Sequence, residues 1–120
     1  MTLTQSLTPV SVAGLSSGVA NVSTGFGGLT CAAVSSGIQC WGYNGTGQLG
    51  NNSTTNSSIP LSLPGISTSV QALSVGTSSA CTLSNGAALC WGLNSYGQLG
   101  TNTTDPSHIP ATVFGLGSGM

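Results

Sequence analysis

The apolar positions of this chain come in short runs of Val, Ala, Leu and Ile, broken every few residues by Gly, Ser, Asn or Pro. That pattern predicts short β-strands joined by tight turns. No segment carries the 3.6-residue apolar period of a helix. The clearest element is a hairpin over 81–90. Asn85-Gly86 suits a two-residue type I′ turn, which needs positive φ at both central positions. This turn pairs Ser84 with Ala87, Leu83 with Ala88, Thr82 with Leu89 and Cys81 with Cys90. Counting outward from the turn, Cys81 and Cys90 fall at a non-hydrogen-bonded site, where facing Cα atoms lie about 4.5 Å apart. That separation is within reach of a disulfide. Ser35-Ser36 serves as the turn of a matching hairpin that sets Cys31 opposite Cys40.

These two hairpins belong to a longer echo. Cys31, Cys40, Trp41, Gly42, Asn44, Gly47, Gln48, Leu49, Gly50, Thr54, Ile59 and Pro60 recur fifty positions later, from Cys81 to Pro110. A repeat of this length implies a unit that cannot bury its apolar face alone and stacks on its neighbours. The string Cys-Trp-Gly-x-Asn-x-x-Gly-Gln-Leu-Gly, at 40–50 and 90–100, resembles the repeat of the regulator-of-chromosome-condensation family. Val75-Gly76, Cys81-Thr82-Leu83 and the turn Asn85-Gly86 extend the likeness upstream. Ile109-Pro110-x-x-Val113-x-Gly115-Leu116 extends it downstream. The resemblance implies four-stranded blades of a β-propeller. A His usual in that family two residues before the first Cys is replaced here by Leu29 and Ser79. The family's best-known member is a nuclear exchange factor that binds chromatin; what carries over is the fold, since fold does not imply function.

The expected fold is therefore all-β: two four-stranded propeller blades, an incomplete propeller completed by neighbouring subunits or by a longer chain. Pro9-x-x-Val12-x-Gly14-Leu15 aligns with Pro60-x-x-Leu63-x-Gly65-Ile66 and with the run from Pro110. The reading is an N-terminal segment 1–8, repeats at 9–59 and 60–109, and the start of a third at 110–120. Met1 is taken as a start; Met1–Leu7 has neither the positive region nor the apolar region of a signal peptide.

Composition narrows the function. The chain has no Lys or Arg, one acid (Asp105) and one imidazole (His108), so 1% of it is charged, against about 25% in an average protein. Phosphate neutralisation needs Lys and Arg, so a nucleic-acid binder is excluded. No stretch approaches the roughly 20 apolar residues of a spanning helix. A hydrophobic fraction of 38% still argues for a packed core. A free surface this poor in charge is unfavourable for solubility, so much of it is expected to be covered by protein, glycan or extracellular matrix.

Four Cys allow three pairings; hairpin geometry selects Cys31–Cys40 and Cys81–Cys90 in an oxidising compartment, with buried reduced thiols as the alternative. Trp41 and Trp91 follow the second Cys of each pair and so face the other side of the strand. They are read as blade-to-blade core, together with Leu49, Leu99, Ile59 and Ile109. The Gly-Gln-Leu-Gly segments are read as tight turns, with Gln48 and Gln98 bonded to loop backbone. No paired carboxylates, phosphate loop or nucleophile elbow is present. Asp105 and His108 sit three apart in a polar loop, which reads as solvated loop rather than a triad. The expectation is no enzyme, no cofactor and no metal. Sequons at Asn51, Asn52, Asn56 and Asn102 follow Gly-Gln-Leu-Gly in loops that would tolerate glycan.

Two blades leave apolar faces and strand edges open, and these recruit other chains. The terminal runs are similar, so Leu7, Pro9, Val10 and Val12 at one end, or Ile109, Pro110, Val113 and Phe114 at the other, are expected to donate a strand to a neighbour. The resulting expectation is an extracellular or cell-surface structural protein that binds copies of itself head to tail as a filament, tube or sheath. The alternative is a propeller module, a closed ring or part of a longer repeat protein, that holds a protein or glycan partner.

Overall fold

A computed structural model describes residues 8–15, 18–66 and 70–119. Eight strands and, among the described residues, no helix make up two sheets. The first sheet runs β1 (Val19–Thr24), β2 (Leu29–Val34), β3 (Gly37–Gly42) and β4 (Ser57–Ser62). The second runs β5 (Val70–Val75), β6 (Ser79–Ser84), β7 (Ala87–Gly92) and β8 (Ser107–Thr112). Each is an antiparallel meander in chain order. This is the expected pair of four-stranded blades of an incomplete propeller.

The hairpin register follows from the turns. Asn85 and Gly86 have φ of 53° and 81°, the two positive values that a type I′ turn requires. Ser84 then faces Ala87, and Cys81 faces Cys90. In the first blade Val34 faces Gly37 and Cys31 faces Cys40. Both cysteine pairs are bridged, with Cα atoms 4.1 Å apart.

The junction of β3 with β4, and of β7 with β8, is bulged after the second Cys. Gly42 and Gly92 sit at the bulges with φ of 112° and 104°. A Cβ on Gly42 would collide with the Gly28 carbonyl, and one on Gly92 with the Ser78 carbonyl. The Gly after each Trp is therefore required by both conformation and space.

The sheets are phased differently from the sequence repeat. The division at 59/60 falls inside β4, and 110–112 finish β8 rather than opening a third unit. Ile109 and Pro110 are thus already used within the second blade. Val113 N–H donates to the Ala88 carbonyl and Ala88 N–H to the Leu116 carbonyl. The run 109–116 is tied to its own sheet and is not a free strand for donation. Leu63 N–H donates to Ile38 O in the same manner in the first blade. At the other end, residues 8–15 form no strand; Pro9, Val10 and Val12 are exposed and Leu15 N–H turns back to Val12 O. Leu7 lies outside the described residues.

One continuous apolar cluster lies mainly between the blades. Leu29, Ile38, Leu49, Leu63 and Ile66 from the first blade meet Leu73, Ala80 and Trp91 from the second. Burying such side chains is worth about 1.5–3 kcal/mol each. The core is a seam between two units, neither of which encloses one alone.

Candidate functional site: the blade seam and its open copies

The long connections 43–56 and 93–106 build the seam. In each, a buried Asn acts as a post. The Asn44 side-chain carbonyl accepts from Leu49 N–H at 2.8 Å. Its amide donates toward Ser53 O at 2.9 Å and Thr55 O at 3.0 Å. Asn94 repeats the arrangement with Leu99 N–H, Thr103 O and Asp105 O at 2.9, 3.0 and 2.7 Å. Both Asn side chains are fully buried, and buried polar groups of this kind hold a loop in one conformation. The Gly-Gln-Leu-Gly segment closes as two successive turns, Gly47 N–H to Asn44 O and Gly50 N–H to Gly47 O, with the same pair at Gly97 and Gly100. Gln48 Oε1 accepts from Thr46 N–H at 2.8 Å and from its hydroxyl at 2.7 Å. Gln48 Nε2 is buried with no hydrogen-bond partner among the described residues.

Across the seam, Trp91 sits on this loop. Its indole N–H donates to Gln48 O at 3.0 Å. Its ring occupies the space a Cβ on Gly50 would need, beside Leu63. Asn52 N–H donates to His108 O at 2.7 Å, and the His108 ring lies over Gly47. At the other end of the seam Val75 N–H donates to Ser23 Oγ at 3.1 Å. The trailing face of the first blade is thus covered by the leading face of the second.

The fifty-residue repeat makes each covered group testable against its copy. Trp91 is fully buried, whereas Trp41, on the leading face of the first blade, is only partly so. Leu73 is 8% exposed, and its structural counterpart Val22 is 59% exposed. On the trailing faces, Gln48 and Ile66 are buried while Gln98 and Leu116 are exposed. Over Gly97, Gly100 and Val113, where the copy of a Trp would rest, there is an open cavity of about 710 Å³. A second, of about 220 Å³, is lined by Cys81, Leu83 and Ala88, the counterparts of buried Cys31, Ala33 and Ile38.

Two sequence expectations need correction. Ile59 and Ile109 are 54% and 43% exposed: they lie on β4 and β8, the last strands of their sheets. Trp41 is not core in this chain, because no blade covers its side. Leu49, Leu99 and Trp91 are fully buried. Gln48 and Gln98 do bond loop backbone, Gln98 through Tyr96 N–H at 2.9 Å. Of the sequon residues, Asn52, Asn56 and Asn102 are exposed and Asn51 is half-buried; Asn51 Oδ1 accepts from the Asn44 side-chain amide and Asn56 Oδ1 from the Asn44 backbone N–H. Asp105 and His108 serve loop and seam. Among the described residues no group of three or more His, Cys, Asp or Glu comes together to hold a metal, and no helix is long and apolar enough to cross a membrane. The post role of Asn44 and Asn94 was missed in the sequence; its signal is an Asn five residues before the Leu of Gly-Gln-Leu-Gly.

The Regulator of chromosome condensation (RCC1) repeat matches residues 38–83 and 85–119, more than half of the chain. The chain belongs to the RCC1-repeat family. Two solved structures share the fold of this RCC1-repeat chain. Human WBSCR16 is 22% identical, with a TM-score of 0.73 over 87% of this chain and 28% of its own. Prp20p from Saccharomyces cerevisiae is 14% identical, with a TM-score of 0.70 over 79% of this chain and 25% of its own. Its structure was reported with its binding to Gsp1p and histones. The chain therefore spans about a quarter of each. No curated protein matches the sequence.

Proposed function

We propose that this chain is a non-enzymatic propeller-building unit whose two open faces join further RCC1-type blades, and that the completed propeller is a protein-binding module. The observation that carries the reading is the pair of uncovered faces: each is a copy of a surface that, fifty residues away, is buried in the seam. A closed propeller takes about four to eight blades, and both blades here superpose on RCC1-type structures. A seam repeated in one rotational sense closes into a ring when its angle permits. The binding described for Prp20p supports a protein partner as the class of ligand, although without Lys or Arg this chain offers no basic surface for an acidic one. The two disulfides support an extracellular or cell-surface location, where exposed Asn52 and Asn102 would accept glycan.

A second reading keeps the same faces but lets the rotation fail to close, giving a filament, tube or sheath. The near absence of charge favours it, because packed subunits leave little free surface and buried charge is costly. Electron microscopy of the native, disulfide-bonded protein, with its mass from light scattering, tests both. Discrete rings support the binding propeller and fibres support the polymer. Particles of monomer mass would refute the joining of blades altogether.

A further inference from the structure

We infer that the open slot on the second blade receives Trp41 of a second copy of this chain, in the pose that Trp91 takes on the first blade. The inference rests on the blade-joining reading and names its central contact. Continuity with the internal seam carries it. Trp91 is held by three elements: the Gln48 carbonyl, the bare face of Gly50 and the Leu63 side chain. The second blade presents the same three as the Gln98 carbonyl, Gly100 and Val113. Gly100 has φ of 67° against 73° for Gly50, so the turn that offers the carbonyl is the same turn. The slot over Gly100 and Val113 is open.

The complement stands at the far end of the same molecule. Trp41 occupies the register position of Trp91, opposite Thr30 as Trp91 is opposite Ala80, and it is partly exposed. Val22, on β1 of the same sheet, is uncovered where Leu73 is covered. Asn102 has φ of 64° and Asn52 of 63°, so the N–H that reaches His108 O across the internal seam has a matching donor at the open one. Its acceptor would be the carbonyl of Ser58 of the second copy, the counterpart of His108. Such an interface is heterologous: one copy gives Trp41, the other gives the slot, and both retain a free face.

The test uses the disulfide-bonded chain and sedimentation velocity. Wild type is expected to associate. Trp41→Ala removes the plug, and Val113→Trp fills the slot from its own side. Each alone is expected to weaken association about thirtyfold or more, the effect of truncating a central Trp anchor. Trp41→Phe, which keeps a ring but lacks the N–H, should fall between. The decisive sample is the mixture. Trp41→Ala retains a slot and Val113→Trp retains a Trp41, so together they should form a 1:1 dimer that grows no further, which misfolded variants would not do. If wild type assembles but both variants assemble equally well, the Trp41 contact is overturned and blade joining stands. If the mixture gives no dimer, the contact is overturned likewise. A monomeric wild type overturns both.

Discussion

The indole N–H of Trp91 donates to the backbone carbonyl of Gln48 across 3.0 Å, and neither residue exposes any surface. These residues are 43 positions apart, and they join two sheets whose strands are otherwise paired only internally. Trp91→Phe keeps most of the ring but leaves a buried carbonyl without its donor, at a cost of about 1–3 kcal/mol. Trp91→Ala also leaves a cavity in the shared core and should cost about 3–5 kcal/mol. The same changes at Trp41 remove a partly exposed ring with no blade against it, so in the single chain they should cost clearly less. Urea unfolding of the four variants at a concentration where the chain is monomeric checks this. Equal losses at the two positions would show that the seam does not carry the fold.

The Asn posts offer a second check, because the demand on them is for one donor end and one acceptor end. Asn44→Ala strands the Leu49 N–H and the carbonyls of Ser53 and Thr55. Leaving buried groups unpaired costs about 1–3 kcal/mol each, and water entering the loop would recover part of that. Asn44→Asp preserves shape but turns a carboxylate oxygen toward two carbonyl oxygens, so it should be no better than Ala at neutral pH. Hydrogen exchange should localise the loss, with Leu49 N–H losing protection before the strands do. Protection at Leu49 unchanged in Asn44→Ala would remove the post from the account.

Glycines at two kinds of position should separate conformation from space. Gly65 has φ of 79° and nothing near its missing Cβ, so Gly65→Ala carries only a left-handed-backbone cost, about 1 kcal/mol. Gly42 has φ of 112° and the Gly28 carbonyl in the way. Gly42→Ala must shift backbone at the bulge and should cost several-fold more, or prevent folding. Thermal melts of the two variants decide it. Similar melting temperatures would mean that the bulge yields easily.

How much of this could be read in advance depended on range. The Asn85-Gly86 turn and the facing cysteines were legible because a two-residue hairpin fixes its own register locally. The blades were legible because the fifty-residue period preserves the two Cys, the Trp-Gly pair and the Gly-Gln-Leu-Gly turn of each repeat. Burial was only partly legible. Ile59 and Ile109 are apolar and repeated, which reads as core, yet they sit on the last strand of each sheet and stay about half exposed. Trp41 and Trp91 are the same residue in the same local pattern. Only the presence of a neighbouring blade makes one core and the other a partly exposed surface, and that information is not local. The strand donation expected of 109–114 failed for a related reason. The run's likeness to the N-terminal segment does not reveal that β7 already holds it.

The disulfides extend the seam argument to chemistry that can be timed. Each closes a ten-residue hairpin and should contribute about 2–3 kcal/mol in the chain-entropy account. Their accessibility differs. Cys31 and Cys40 are fully buried under the second blade, whereas Cys81 is only partly buried and lines a small open cavity on the trailing face. Thiol–disulfide exchange needs the attacking thiolate to reach a sulfur. In dilute solution Cys81–Cys90 should therefore be reduced first, with Cys31–Cys40 waiting for the blades to separate. Timed alkylation and peptide mass mapping read the order directly. At concentrations where copies associate, a blade laid over the trailing face should slow reduction of Cys81–Cys90 toward the rate of the other pair. Reduction of both pairs at one rate in dilute solution would mean that the second blade does not shield the first. A difference that persists unchanged in the associated state would mean that association uses another surface.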